Sequence, residues 1–511
     1  KGTAGVTVIS GCLESQKAHM IAGLSEDAPV RLLIAENELK AKEVYEDLKF
    51  YYPDVFYYPA RDLIFFEADI HGNLLIRQRL QVIQALLERK EVTIITSVGG
   101  CMDFLLPLGV FEKHCIHLRN DSELDLDKIR KELVRLGYES TFQVESTGQF
   151  SVRGGILDIY PLTEQNPIRI ELWGDEIDSI RSFDAESQRS IENLEEITIY
   201  PASELILTED TIARGVKAIK KEAKAQSTKF RDKMMTEEAA RIRRAAEEIC
   251  DRIGEGEILQ GAEQYLHYFY PETVSFLEYL PENSRIFLDE PNRIIECADA
   301  LEAEFQESVS HRLEKGYLLP GQAKLMCSTA ELVAKLNRRG CVAVSLMEPQ
   351  KGEWNIRDEF SVTVKSVNSY NNQFPLLVKD LKSWKKAGYR IVLASPSRTR
   401  AQHLAEDLQN EEIPAFYSEN EERVLKPGEV MLIYGAARRG FEYPMQKFVL
   451  ITETDIFGKE KKKNRKKSEY SGQKIQNFAD LSIGDYVVHE SHGLGIYRGI
   501  EKIEMDRVTR D

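Results

Sequence analysis

Hydrophobic and polar positions alternate most regularly between residues 148 and 203. In Ile168-Arg169-Ile170-Glu171-Leu172-Trp173 the apolar Ile168, Ile170 and Leu172 fall on one side of a pleat, and Arg169, Glu171 and Trp173 on the other, because side chains in a strand alternate faces. Just upstream, Phe150 and Val152 point inward and Ser151 and Arg153 outward, before Gly154-Gly155 permits a sharp bend or bulge. Arg153, Arg169 and Trp173 are therefore expected on one patch, and Trp and Arg are the residues that most often anchor protein interfaces. The competing expectation is that a neighbouring loop covers Trp173 and that the arginines pair with acids such as Glu171 and Asp175.

Elsewhere, unbroken apolar runs alternate with amphipathic ones. Val6-Thr7-Val8-Ile9, Arg31–Ala35, Glu91–Val98 and Ser284–Glu290 read as interior strands, with helices over 38–49 and 73–90. Strands alternating with helices imply a largely parallel sheet. Residues 208–253 predict long charged helices whose charge runs are solvated faces. From about Gly340 a second series, Arg390–Ser395, a helix to Gln409, Val430–Tyr434 and Lys447–Thr452, predicts a compact α/β unit. Lys459–Lys467, KEKKKNRKK, repels itself and reads as an extended linker, and the short strands with glycine bends after Leu481 predict a small curled β-domain.

Candidate chemistry is sparse. The first strand, the turn from Ser10 and the helix toward Leu24 have the layout of a phosphate-binding loop, but the pattern G-x-x-x-x-G-K-[ST] aligns with Gly11, Gln16, Lys17 and Ala18. Gln16 carries a Cβ where backbone must approach phosphate, Ala18 offers no oxygen to Mg²⁺, and Glu14 adds negative charge. Asp289-Glu290 closes a strand as a Walker B pair does, where Asp holds Mg²⁺ and Glu polarises water. The loop reads either as a vestige or as an ordinary strand–helix turn, and the acidic pair as a remnant, so no catalytic residue and no cofactor is expected in this chain. Ser395 and Ser397 lack a His–Asp partner pattern, and His489 and His492 lack a third ligand, so no metal site is expected.

Composition narrows the class further. At 511 residues, 42% hydrophobic and 30% charged, the chain is expected to hold several globular domains. Seven cysteines without paired spacing indicate reduced thiols, and the absence of a long apolar run or leader suggests a cytoplasmic protein without membrane contact. A net charge of −16 argues against a surface that grips DNA throughout.

The segments VRGGILDIYP (152–161) and IRIELWGDEI (168–177) resemble the inserted domain shared by UvrB and the transcription-repair coupling factors. That resemblance implies docking to UvrA through Arg153, Arg169 and Trp173. Residues 481–504 resemble the opening of the CarD-like module by which these factors bind the β subunit of RNA polymerase, implying contacts from Ile500 and Ile503 by strand addition. The step from Tyr58 to Gln78 leaves no room for the tyrosine-rich hairpin of UvrB, which favours the coupling factors over a UvrB-like damage-loading ATPase or helicase.

The implied fold class is α/β multidomain. A degenerate RecA-like domain over 1–125 and 206–320 is split by an α+β docking domain over 126–205. A linker follows at 321–344, then a small α/β domain of unassigned role at 345–455, a basic linker at 456–476 and the start of the CarD-like domain at 477–511. The chain then corresponds to the N-terminal portion of such a factor, with ATP, Mg²⁺ and DNA belonging to a motor outside it.

Overall fold

The computed structural model describes residues 4–61, 74–88, 90–254, 262–348, 352–420 and 423–458, and four short strands beyond residue 485. A seven-stranded sheet organises the first part. Its order is Ile356–Ser361, Val6–Ser10, Cys341–Val344, Arg285–Asp289, Val30–Ala35, Val92–Ser97 and Val55–Tyr58. Every neighbouring pair is parallel. Strands Val30–Ala35 and Val92–Ser97 are buried at every position, the reason their sequences run apolar without alternation.

The sheet draws strands from both sides of residues 116–205, so the segments flanking that insertion share one core. Residues 321–344, expected as a linker, are not one. They include the helix Thr329–Arg339, capped by Ser328 and closed by Gly340, and the strand Cys341–Val344 inside the sheet. The strand Ile356–Ser361, expected in the next domain, pairs with Val6–Ser10 at the sheet edge. These short strands carry little signal alone; their place is decided by the partners that complete their backbone hydrogen bonds.

The insertion is tied at its base, where Ile116–Arg119 pairs antiparallel with Glu196–Ile199. A six-stranded sheet follows, ordered Ser190–Leu194, Glu176–Phe183, Ile168–Trp173, Ile156–Ile159, Gln149–Arg153 and Glu139–Ser140. Asp125, whose side chain accepts from the backbone N–H groups of Asp127 and Lys128, starts the helix Leu126–Arg135; that helix buries Ile129 and Leu133. The chain then returns through two packed helices, Glu209–Asp232 and Thr236–Gly254. Their charged outer faces are exposed, while Ile219, Ala223, Ile242 and Ala246 meet inside.

A second six-stranded sheet lies between residues 365 and 452, ordered Lys365–Ser366, Phe441–Tyr443, Phe448–Thr452, Arg390–Ser395, Val430–Tyr434 and Ala415–Tyr417. Contacts divide the chain into a large unit that extends to Gly458 and a small one beginning at Lys459. In the latter, Tyr486–His489 pairs with Gly493–Ile496 and Ile503–Met505 with Val508–Arg510, all antiparallel. The basic run 459–467, His492 and Ile500 lie outside the described residues. Among the described residues, no helix is long and apolar enough to cross a membrane.

Candidate protein-docking site

Strand register builds the outward face of the inserted sheet row by row. Phe150, Ile159 and Ile168 lie opposite one another, as do Leu157, Ile170 and Ile180, and all six are buried. The intervening row brings Ser151, Asp158, Arg169 and Arg181 side by side on the other face, and the next brings Arg153, Ile156, Glu171 and Ser179. Arg153, Arg169 and Trp173 are thus on the face that the period-2 pattern indicates.

Asp158 organises that face. Its buried carboxylate accepts from Nε and Nη2 of Arg169 at 2.7 and 2.9 Å and from Nη2 of Arg153 at 2.8 Å. Arg169 also donates to Gln188 Oε1 at 3.1 Å and stands 4.5 Å from the centre of the Phe183 ring. Its hydrogen bonds to Asp158 push the guanidinium pKa further up, so the charge is permanent. Glu171 pairs instead with Arg181. Thus the arginines do have an acidic partner, but it is Asp158 rather than Glu171 or Asp175; Asp158 falls in a run that reads as an ordinary strand, and only the pairing with Arg169 exposes its role.

Trp173 has no such cover. It is 84% exposed, at the end of its strand, beside the Gly154-Gly155 turn to which Leu172 donates a backbone hydrogen bond at 2.8 Å. Two arginines held by a buried carboxylate and a bare indole on one sheet face are residue types that interface anchors favour.

The loop over Gly11 to Ala18 is built differently. Gly11 has φ of +79°, and a Cβ there would stand 2.2 Å from the carbonyl oxygen of Val362. Its N–H donates to Leu346 O and that of Cys12 to Ser345 O, at 3.2 and 3.0 Å, so amides that would cradle a phosphate are satisfied within the fold. Buried Gln16 donates to the hydroxyl of Tyr443 at 2.8 Å. The ammonium of Lys17 donates to Glu14 Oε1, Asp289 Oδ1 and Glu290 Oε1 at 2.6, 2.6 and 2.7 Å, which uses its three donors.

Burial alone would lower the Lys17 pKa, but Asp289 and Glu290 outweigh it and hold the pKa above the ordinary value. Oxygens of Glu14, Asp289 and Glu290 lie within 4.8 Å of one another, the donor set of a cation site, and the Lys17 ammonium stands among them as the cation. Ala18, buried in the helix Glu14–Leu24, adds no oxygen. Ile503 opens the strand Ile503–Met505.

The inserted sheet matches the family model described as the UvrB interaction domain over residues 116–205, starting at Ile116 rather than 126 because Ile116–Arg119 belongs to its base. Residues 481–511 match the CarD-like/TRCF RID domain. A transcription-repair-coupling factor of Bacillus subtilis is 33% identical over 523 residues, covering 99% of this chain and 44% of that protein. One from Staphylococcus haemolyticus is 29% identical over 509 residues, covering 99% of this chain and 43% of its own length. The chain is thus similar to transcription-repair-coupling factors along nearly its whole length, and it spans less than half the length of these relatives.

Proposed function

We propose that this chain is the recruitment part of a transcription-repair-coupling factor, linking stalled RNA polymerase to nucleotide excision repair. Its inserted sheet docks UvrA through Trp173, Arg153 and Arg169, and the segment from 477 contacts the RNA polymerase β subunit through Ile500 and Ile503. The flanking segments, 1–115 and 206–361, form a RecA-like module that no longer hydrolyses ATP. Support for this is the Lys17 ammonium, whose three donors are held by carboxylates where a working loop would offer them to phosphate. ATP, Mg²⁺ and DNA translocation then belong to a motor in the remainder of the parent protein, which acts in the cytoplasm alongside the polymerase.

The observation that carries the docking reading is Trp173, 84% exposed on the face where Asp158 locks two guanidinium groups. Pre-positioned anchors bind without the entropy cost of ordering them. Calorimetric titration of UvrA into the chain tests it. Trp173→Ala is expected to weaken binding about 30-fold, the equivalent of roughly 2 kcal/mol at an interface hot spot. Arg153→Ala is the better arginine probe, since Asp158 keeps Arg169 as its partner. Unchanged affinity in both variants would move the contact off this face.

A further inference from the structure

We infer that Phe142 is a second aromatic anchor of the docking face, a contact that rests on the UvrA reading above. Phe142 is 83% exposed, as bare as Trp173. Single exposed apolar residues are common and by themselves need no partner. Phe142 differs in how firmly it is displayed. Its carbonyl accepts from the Ser151 hydroxyl at 2.8 Å, and the preceding Thr141 N–H donates to Phe150 O at 2.9 Å. On the far side of the loop, Gln149 Oε1 accepts from the backbone N–H groups of both Glu145 and Ser146 at 3.1 Å. The segment is therefore stitched to the strand Gln149–Arg153 on both sides of the ring.

The ring is also placed with the other anchors. Its centre lies 5.9 Å from the Arg153 guanidinium, within cation–π range. Ser151, which holds its carbonyl, shares a row with Asp158 and Arg169, so Phe142 stands over the same face. From the Glu139–Ser140 edge to the Trp173 strand there are three strand spacings, roughly 14 Å. Arg153 lies between, using only Nη2 toward Asp158, so Nε and Nη1 are without a hydrogen bond among the described residues. The partner surface that fits has two apolar hollows flanking a carboxylate.

Titration of UvrA into the chain, unsubstituted and as Phe142→Ala, Trp173→Ala and the double variant, tests the inference. Phe142→Ala is expected to weaken binding about tenfold while leaving the thermal midpoint unchanged, because an exposed ring contributes no core packing. Phe142→Trp, which keeps an aromatic ring, is expected to bind within about twofold of the unsubstituted chain, and Phe142→Asp to bind worse than Phe142→Ala. A Phe142→Ala variant that binds like the unsubstituted chain, while Trp173→Ala binds weakly, overturns this inference and leaves the docking reading standing. An unsubstituted chain that does not bind UvrA overturns both.

Discussion

Lys17 spends its charge inside the fold. In a working phosphate loop the lysine ammonium meets phosphate oxygens; here it meets the carboxylates of Glu14, Asp289 and Glu290, and joins the helix Glu14–Leu24 to the end of the strand Arg285–Asp289. Removing one partner of a buried pair leaves the other charge uncompensated, at about 3–5 kcal/mol. Lys17→Ala is accordingly expected to lower the unfolding free energy from urea titration by that order, and Asp289→Asn in the same background to recover part of the loss. A Lys17→Ala chain of unchanged stability would mean the pair holds nothing together. The thiol of Cys12, pushed up to about 11 chiefly by burial, is expected to resist alkylation in the folded chain.

Within single elements, packing decides the sign of substitutions that propensity would predict otherwise. Gly215 sits inside the helix Glu209–Asp232, where Gly→Ala ordinarily stabilises by about 0.5–1 kcal/mol. A Cβ at this position would stand 2.1 Å from Phe269 Cδ1, and Phe269 is fully buried. Gly215→Ala is therefore expected to destabilise by roughly 1–3 kcal/mol, as overpacked cores do. Denaturation showing a gain instead would mean that the ring yields freely. In the inserted sheet acids pair with guanidinium groups within and between rows, Asp158 with Arg169 and Arg153, and Glu171 with Arg181, so the like charges of facing Arg169 and Arg181 are both compensated.

On the scale of the large unit, the second six-stranded sheet packs against the segment that follows Gly11. Tyr443 accepts from Gln16, Arg438 pairs with Asp47 in two hydrogen bonds of 2.5 Å, and a Cβ on Gly435 would stand 1.9 Å from Phe50 Cε2. His19 lies among Tyr51, Phe441, Tyr443 and Phe448. Burial lowers its pKa, so the folded chain favours neutral imidazole. The stability this contributes is complete above the ordinary histidine value of about 6.5 and is lost as pH falls below it toward the folded-state pKa. Urea midpoints from pH 8 to 5 are expected to fall more steeply for the unsubstituted chain than for His19→Gln; parallel curves would remove His19 as the cause. Gly435→Val is expected to raise hydrogen exchange along Glu14–Leu24 while UvrA affinity stays within about twofold.

The sequence by itself determined which residues share one side of the inserted sheet and that Gly11–Ala18 departs from the phosphate-loop pattern, because both are local. A period-2 pattern assigns Arg153, Arg169 and Trp173 to one side of a sheet, and a missing glycine and hydroxyl are visible wherever the chain goes. Tertiary structure decided what those residues touch. Asp158 as the shared carboxylate, Tyr443 over Gln16, and residues 341–344 and 356–361 as strands of the first sheet depend on pairings between distant segments. A carboxylate or a short strand is satisfied by whichever partner folding brings within hydrogen-bond reach, and that choice is made by the packed core rather than by neighbours in the chain.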